Sequence, residues 1–463
     1  MGLIPAKTGT NPALLLGPEG NKMSRSFAVV GSGPSGFYAI EALIQKVPGC
    51  RIDLIERLPA PFGLVRYGVA PDHEKTRNVA RAYIRAFSKA DLRYYGNVEI
   101  GRDLELAALR DAYDAVILAT GASRDRKLSI PGVDLPGIYG AAAFVAWYNA
   151  HPDWRDLAPN LDCDAAAVIG NGNVALDVAR ILARSVDELA TTDIAPHALD
   201  VLAESRIKDI YIFGRRGPIE ARFTKAELKE MGELTRAVAL VRPQQLPESL
   251  PPFEDSGFQD RRAYNMKKAN LDILASFTAN RAQDKPIRVH FEFLATPKDI
   301  HGNEKVEGVR LERTRLDQGR AVGTGETFDI DVGCVITAIG YRSLPVPGAP
   351  FDETRGIIPN AAGHVDGNLF VVGWVKRGPS GTIPTNRDDS FAVVDQVVAH
   401  LGGMGAGDPP GRAWLDGELE ARAVRAVSFD DWERIHMAEV AAATPPAPRR
   451  KFASVSDMLA VLD

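Results

Sequence analysis

Four apolar runs stand out along the chain because none alternates with polar residues and each gives way to glycine. Phe27-Ala28-Val29-Val30 leads into Gly31-Ser32-Gly33-Pro34-Ser35-Gly36, and Ala165-Ala166-Ala167-Val168-Ile169 leads into Gly170-Asn171-Gly172-Asn173-Val174-Ala175. The stretches from Asp114 to Gly121 and from Cys334 to Gly340 have the same form. Continuous apolar runs predict parallel strands covered on both faces. Beyond the first two glycine turns the pattern becomes helical, predicting helices from Phe37 to about Val47 and from Leu176 to about Arg184. Strands are predicted again at Arg51 to Glu56 and at Asp209 to Phe213, the second running into Gly214-Arg215-Arg216. Strand, glycine turn, helix and strand therefore occur twice, as two βαβ units of the dinucleotide-binding kind.

The other segments read more simply. Residues 1–24 are a loose leader rich in Gly, Pro, Asn and Thr, expected to be dispensable for function. Its apolar patch, Ala13 to Leu16, is too short for a signal-peptide core, and Met23 offers a second start. The stretch from Pro243 to Pro252 and the polar residues up to about Asn270 are expected at the surface. Trp414 to Asp463 predicts helices with a Pro-rich interruption at Thr444 to Pro448.

Composition narrows the function classes. The 463 residues carry 55 Lys and Arg against 60 Asp and Glu, a net charge of −5, which argues against a protein that coats nucleic acid. Hydrophobic residues at 45% and charged residues at 25% exclude global disorder. The three cysteines, Cys50, Cys163 and Cys334, form no C-x-x-C and cannot supply a four-cysteine iron–sulfur cluster. Sparse cysteine fits a reducing compartment, and a cytoplasmic location is expected. No apolar run is long enough to span a bilayer.

The two glycine turns differ in chemistry. In the first, Gly31 permits the tight turn, Gly33 lets a pyrophosphate approach the backbone, and Gly36 allows helix and strand to pack closely. Glu56, at the end of the next strand, stands where a carboxylate accepts from ribose hydroxyls. In the second turn Ala175 replaces the third glycine, and Arg215 with Arg216 replaces the acid. A carboxylate would repel a ribose 2′-phosphate there, whereas guanidinium groups bind it bidentately. That substitution points to NADP(H) over NAD(H), the plain alternative being a solvated surface pair. One acid-ended and one arginine-ended site suggest two dinucleotides, FAD and NADPH, in an electron-transfer flavoenzyme. A third motif runs from Val371 through Gly373-Trp374 to Gly381-Thr382-Ile383, with a helix predicted from about Thr385 to about His400. Backbone N–H groups at such a helix start would face the flavin pyrimidine edge and favour its anionic reduced form. Trp374 would lie against flavin or nicotinamide, or simply pack.

With the segment Phe62-Gly63-Leu64-Val65-Arg66-Tyr67-Gly68-Val69-Ala70-Pro71-Asp72-His73, with Leu176-Asp177-Val178-Ala179-Arg180, and with Gly214 to Pro218, these motifs resemble the adrenodoxin-reductase type of NADPH–ferredoxin reductase. Trp432 to Ile435 and Arg449 to Phe452 extend the resemblance, so it covers about residue 25 to the end. It implies an α/β fold of two Rossmann-like dinucleotide-binding domains, an NADP domain (123–334) inserted into a discontinuous FAD domain (25–122 and 335–463). It implies flavin contacts from Ser35, Glu56, Leu64, Ile100, Trp374, Gly381, Thr382 and Ile383. NADP contacts would come from Arg126, Asn171, Gly172, Asn173, Val174, Arg215, Arg216, Glu227 and Gly381.

The implied reaction moves a hydride from NADPH to FAD, then single electrons to a ferredoxin-type iron–sulfur protein, and needs no protein nucleophile. His73 is a candidate for proton handling or for a structural role, and Glu230, one helical turn after Glu227, is a weaker candidate. A monomer is expected. An acidic ferredoxin calls for a local basic patch, for which Arg261, Arg262, Lys267 and Lys268 are candidates, with Lys376 and Arg377 near the flavin edge. Competing readings are a diaphorase with another acceptor, a monooxygenase, a disulfide reductase, a glutamate-synthase-type electron-input subunit, and a non-catalytic NADPH-sensing module. The missing C-x-x-C argues against the disulfide reductase. The missing N-terminal cysteines argue against the electron-input subunit, and the 66–73 segment against the monooxygenase.

Overall fold

The computed structural model describes residues 24–403 and 408–463, so the leader apart from Ser24 lies outside the described residues. The chain divides into two compact units. The first comprises residues up to Val65, Asn78–Ala122 and Arg342–Glu433; the second comprises Arg66–Arg77, Ser123–Tyr341 and Arg434–Asp463.

The first unit is built on a six-stranded sheet in the order His364–Asp366, Leu369–Val371, Ala115–Leu118, Ser26–Val30, Arg51–Ile55, Asp91–Tyr95. All neighbours are parallel except the first pair. Val30 lies opposite both Ile55 and Leu118, Ile55 opposite Tyr95, and Leu118 opposite Val371, so five strands end level. Gly31, Glu56 and Val372 thus leave the sheet along one rim, where open α/β sheets place their ligands. The Pro34–Lys46 helix starts at that rim with Pro at its first turn, where a missing N–H costs nothing. It buries Phe37, Ile40 and Leu43, worth roughly 1.5–3 kcal/mol each. Pro48-Gly49 follows its last turn and stops it. The opposite face of the sheet is covered by a cluster that includes Val30, Ile55, Leu106, Leu109, Leu118 and Leu415.

The second unit holds a six-stranded all-parallel sheet, in the order Ile138–Gly140, Cys334–Thr337, Ala165–Ile169, Asp209–Gly214, Ile287–Phe293, Ala237–Val241. The Asn173–Ala183 helix follows its glycine turn. Residues between that helix and the Asp209–Gly214 strand form two further helices, Val186–Ala190 and Pro196–Ala203. A three-stranded antiparallel sheet, Ala295–His301, Gly308–Asp317 and Arg320–Asp331, was not legible in the sequence pattern. Its inward residues Val309 and Leu311 pack with Ala167 and Ile169. The polar segment expected at the surface contains the Arg261–Phe277 helix, which buries Asn270, Leu271, Leu274 and Phe277.

Compactness groups 66–77 and 434–463 with the second sheet, whereas the expected partition put both with the first. The cause is a set of buried ion pairs that local spacing does not reveal. Arg66 pairs with Glu439, Asp72 with Arg180 at 2.7 Å, and Arg77 with Asp193. Asp193 also receives Arg449 at 2.6 Å and Lys451 at 3.6 Å from the C-terminal segment.

Candidate functional site

In the first unit, the glycine turn is built for close approach. Gly31 has φ +107, and a Cβ there would lie 2.5 Å from the Ala119 carbonyl oxygen. A Cβ on Gly36 would lie 2.1 Å from the Gly31 oxygen, so this glycine is required by the fold itself. Gly33 is different: nothing lies within 4 Å of its Cβ position, and it caps the Pro34–Lys46 helix with no side chain on the free N–H groups. The result is an open cradle of donors at a positive helix end, which fits a pyrophosphate. Gly63 closes over it, its Cβ position 3.2 Å from Gly33 Cα, and the Phe62 N–H donates to the Ser32 carbonyl at 3.1 Å. This turn brings Leu64, half-buried, to the cradle.

Glu56 is already held in place. Its Oε2 accepts from the Ser32 N–H at 2.9 Å and the Ser32 hydroxyl at 2.6 Å, and its Oε1 accepts from the Leu58 N–H at 3.2 Å. Each carboxylate oxygen has two acceptor sites, so one site remains on Oε1 for a ribose hydroxyl. Ile100, by contrast, is 7% exposed and belongs to the apolar core with Val98 and Leu104, so its side chain is part of the packing.

The third motif joins the same rim. Gly373, at φ +70, takes a backbone form suited to glycine, and a Cβ there would strike the Ser35 hydroxyl at 2.0 Å. The Trp374 indole N–H donates to the Ser380 carbonyl at 3.2 Å. The following helix is Ile383–Gly402, starting two residues before the expected Thr385 because Pro384 is tolerated in its first turn. Gly381 and Thr382 are exposed ahead of it. Sequence reasoning missed the polar stripe Asn386, Asp389, Ser390, spaced along one side of this helix. Asn386 Oδ1 accepts from the Ser35 hydroxyl at 3.2 Å, Asp389 from the Gly373 N–H at 2.7 Å, and the Ser390 hydroxyl donates to the Ser35 carbonyl at 3.0 Å. Lys376 pairs with Asp389 at 2.8 Å and Arg377 donates to Asn386 at 2.7 Å. Both bases therefore brace the motif from within.

In the second unit, a Cβ on Gly170 would meet the Ala338 oxygen at 2.2 Å, while Gly172 again faces open space and leaves its helix without a side-chain cap. Asn171 Oδ1 is buried there with no hydrogen-bond partner, which suits a ligand donor. Asn173 Oδ1 accepts from the Thr224 N–H at 2.8 Å, tying the 215–224 loop to the turn, with Val174 half-buried beside it. The Arg215 carbonyl accepts from the Thr314 hydroxyl at 2.7 Å and the Arg216 carbonyl from the Leu294 N–H at 3.1 Å. The unexpected antiparallel sheet thus fixes the backbone of the arginine pair and leaves the Arg215 side chain exposed. Arg126 is exposed, its N–H bonded to the Gly340 carbonyl at 3.0 Å.

Around His73 the structure assembles a charged network. His73 Nε2 lies 2.8 Å from Glu230 and 3.4 Å from Glu227 on the Lys225–Gly232 helix, and Nδ1 lies 3.9 Å from Asp177. Asp72, the residue before His73, takes Arg180 at 2.7 Å and Arg184 at 3.0 Å. Burial raises the Glu227 carboxyl above its ordinary range, with Asp177 adding to the effect. Burial also raises Asp177, opposed by Arg180. At Asp72 burial acts the same way, but the Arg180 guanidinium overcomes it and holds the carboxyl below its usual range. His73, Asp177 and Glu227 have metal-ligand types within 4.8 Å of one another. Arg180 stands 2.7 Å from Asp177 and 3.6 Å from Glu227 and supplies that positive charge itself. Elsewhere, burial pushes the Cys50 thiol up to about 12 and raises those of Cys163 and Cys334, so none is poised as a thiolate.

Two largely parallel sheets, each with an open glycine cradle at a helix start, define a two-dinucleotide oxidoreductase. The family described as pyridine nucleotide-disulphide oxidoreductase matches residues 25–212. The chain is 40% identical over 456 residues to the NADPH-ferredoxin reductase FprA of Mycobacterium tuberculosis (strain ATCC 25618 / H37Rv), covering 94% of this chain and 98% of that protein. It is 39% identical over 483 residues to the mitochondrial NADPH:adrenodoxin oxidoreductase of Homo sapiens, covering 98% and 95%. The solved structure of M. tuberculosis FprA in complex with NADPH superimposes with a TM-score of 0.88 at 39% identity, covering 95% of this chain and 99% of that one. The chain belongs to the NADPH–ferredoxin and adrenodoxin reductase family, as its motifs imply.

Proposed function

We propose that the protein is an FAD-containing ferredoxin–NADP+ reductase that passes electrons from NADPH to a ferredoxin-type iron–sulfur protein. The observation that carries this reading is the pair of open cradles with opposite charge at their rims, Glu56 at one and Arg215 with Arg216 at the other, in a chain that spans nearly all of its relatives. FAD supplies the conversion of a two-electron hydride into two single electrons. One NADPH thereby reduces two ferredoxins and releases NADP+ and one proton.

The protein's own residues bind and orient. Gly33 and the start of the Pro34–Lys46 helix receive the FAD pyrophosphate, and Glu56 a ribose hydroxyl, with Ser35, Gly36 and Leu64 lining the approach. The Gly381-Thr382-Ile383 segment lies at the start of the Ile383–Gly402 helix, where a developing negative charge is stabilised, although the Thr382 N–H is already given to the Thr385 hydroxyl at 3.2 Å. Trp374 supports the same region, and Ile100 contributes through the core behind it. Asn171, Gly172, Asn173 and Val174 receive the NADP pyrophosphate, Arg215 and Arg216 the 2′-phosphate, with Arg126 and Glu227 as further coenzyme contacts. His73, held by Glu230 at 2.8 Å, handles the released proton.

Among the described residues no helix is long and apolar enough to cross a membrane. We favour a monomer, and a cytoplasmic location on the sparse, unpaired cysteines. The exposed Arg261, Arg262 and Lys268 are the docking residues that we assign to the acidic partner.

The test is an anaerobic titration of purified protein followed in the visible flavin band. Bleaching by NADPH, weakly by NADH, with recovery on adding oxidised ferredoxin, is expected. A protein that stays colourless after FAD is added reduces the reading to a nucleotide-binding module. Flavin that bleaches but never passes electrons to ferredoxin removes the partner.

A further inference from the structure

Four basic residues crowd the start of the Arg261–Phe277 helix, and one of them behaves unlike the others. Arg261, Arg262 and Lys268 are exposed, Arg261 meeting only Glu254 at 3.1 Å and the face of Phe253. Lys267 turns inward, and its Nζ donates to the carbonyl of Ala221. One turn later Asn270, 1% exposed, donates to the Phe223 carbonyl at 3.0 Å. Two successive residues on one helix face therefore grip the loop that begins with Arg215 and Arg216.

The same loop is fastened to the coenzyme turn from its other side. The Arg222 N–H donates to the Asn171 carbonyl at 2.8 Å, and the Thr224 N–H to Asn173 Oδ1 at 2.8 Å. Lys267 is thus one loop thickness from the second glycine turn. Its ammonium lies close enough to Arg216, Arg222 and Glu220 to feel all three charges. Three cations against one carboxylate leave an uncompensated positive charge on the loop that begins with Arg215. Burial lowers the Lys267 pKa, Arg216 and Arg222 lower it further, and only Glu220 opposes them. Like charges held together by the fold are costly unless an anion joins them. A phosphate monoester carries about −1.5 to −2 at neutral pH, which matches that excess.

We infer that Lys267, with Arg222, extends the Arg215–Arg216 pair into a four-cation cradle for the 2′-phosphate of NADPH, making Lys267 a coenzyme-specificity residue instead of a ferredoxin-docking one. The inference rests on the assignment of Arg215 and Arg216 to the 2′-phosphate. The ammonium is a point charge with two donors left after Ala221, so it complements the planar guanidinium forks without competing for their geometry. The half-buried side chain is tied to the Ala221 carbonyl, which keeps the charge where it is needed in the absence of coenzyme.

The test is calorimetric titration of the FAD-loaded protein with adenosine 2′,5′-bisphosphate and with adenosine 5′-monophosphate, alongside the KM for ferredoxin. Lys267→Met, which keeps the stem, is expected to weaken the bisphosphate about tenfold and the monophosphate less than about twofold, as loss of one charge-assisted bond predicts. Lys267→Arg is expected to restore most of the bisphosphate affinity, and the ferredoxin KM to stay put in both. Equal weakening of both nucleotides would make Lys267 a loop support, and a rise in ferredoxin KM alone would return it to the docking patch; either result overturns the inference. The double variant Arg215→Ala/Arg216→Ala separates the two levels. If it abolishes the bisphosphate preference while Lys267→Met does not reduce it, Lys267 alone is misassigned. If the double variant leaves the preference intact, the 2′-phosphate assignment falls and the inference with it.

Discussion

At the scale of single residues, two glycines three residues apart in the same motif do opposite jobs. Gly36 is demanded by packing, since its Cβ would lie 2.1 Å from a backbone oxygen, whereas Gly33 has open space and an ordinary φ of −78. Gly36→Ala is therefore expected to cost about 1–3 kcal/mol of stability, read as a fall in melting temperature of the apoprotein. Gly33→Ala is expected to leave that temperature nearly unchanged while weakening FAD at least about tenfold, read by equilibrium dialysis. If the two variants behave alike, the open cradle is not the phosphate site. The motif's glycines and Glu56 were legible because their chemistry is local. Asn386, Asp389 and Ser390 were not, since they act on Ser35 and Gly373 from another part of the chain, and a polar stripe on a helix looks like a solvated face.

At the scale of elements, the parallel strands could be read because burial on both faces leaves an unbroken apolar run ended by glycine. The antiparallel sheet was hidden for the converse reason. The Arg320–Asp331 strand is exposed along nearly its whole length, so no alternation marks it. Hidden too was the fastening of the C-terminal segment, where Asp193 gathers Arg77, Arg449 and Lys451 from two distant stretches. Burial would raise the Asp193 carboxyl, but Lys451, Arg77 and Arg449 together hold it far below its ordinary range. A depressed carboxyl contributes stability above its unfolded pKa of about 3.9, and loses it as pH falls towards the folded value. Asp193→Asn is expected to cost about 3 kcal/mol at neutral pH, because it strands buried cations. The gap between variant and parent should narrow progressively in acid melts as pH falls below about 4. A gap that stays constant as the pH falls would assign the loss to packing.

At the scale of the whole molecule, the net charge of −5 and the proposed docking of an acidic ferredoxin are reconciled only if basic charge is concentrated locally. On the proposed reading the exposed side of the Arg261–Phe277 helix supplies it with Arg261, Arg262 and Lys268, whereas Lys376 and Arg377 are engaged by Asp389 and Asn386. Reversing the three exposed charges to Glu is expected to raise the ferredoxin KM about tenfold at low salt, with little effect at high salt. The NADPH KM should hold. A ferredoxin KM that does not move would place the docking face elsewhere.

The segments 66–77 and 434–463 carry a historical consequence. Because they belong with the second sheet, the backbone passes from one compact unit to the other five times, and no contiguous stretch of gene encodes either unit alone. A crossover in recombination would therefore deliver fragments of both. Change of coenzyme or of electron acceptor in this lineage is left to substitution within the intact reading frame, one side chain at a time.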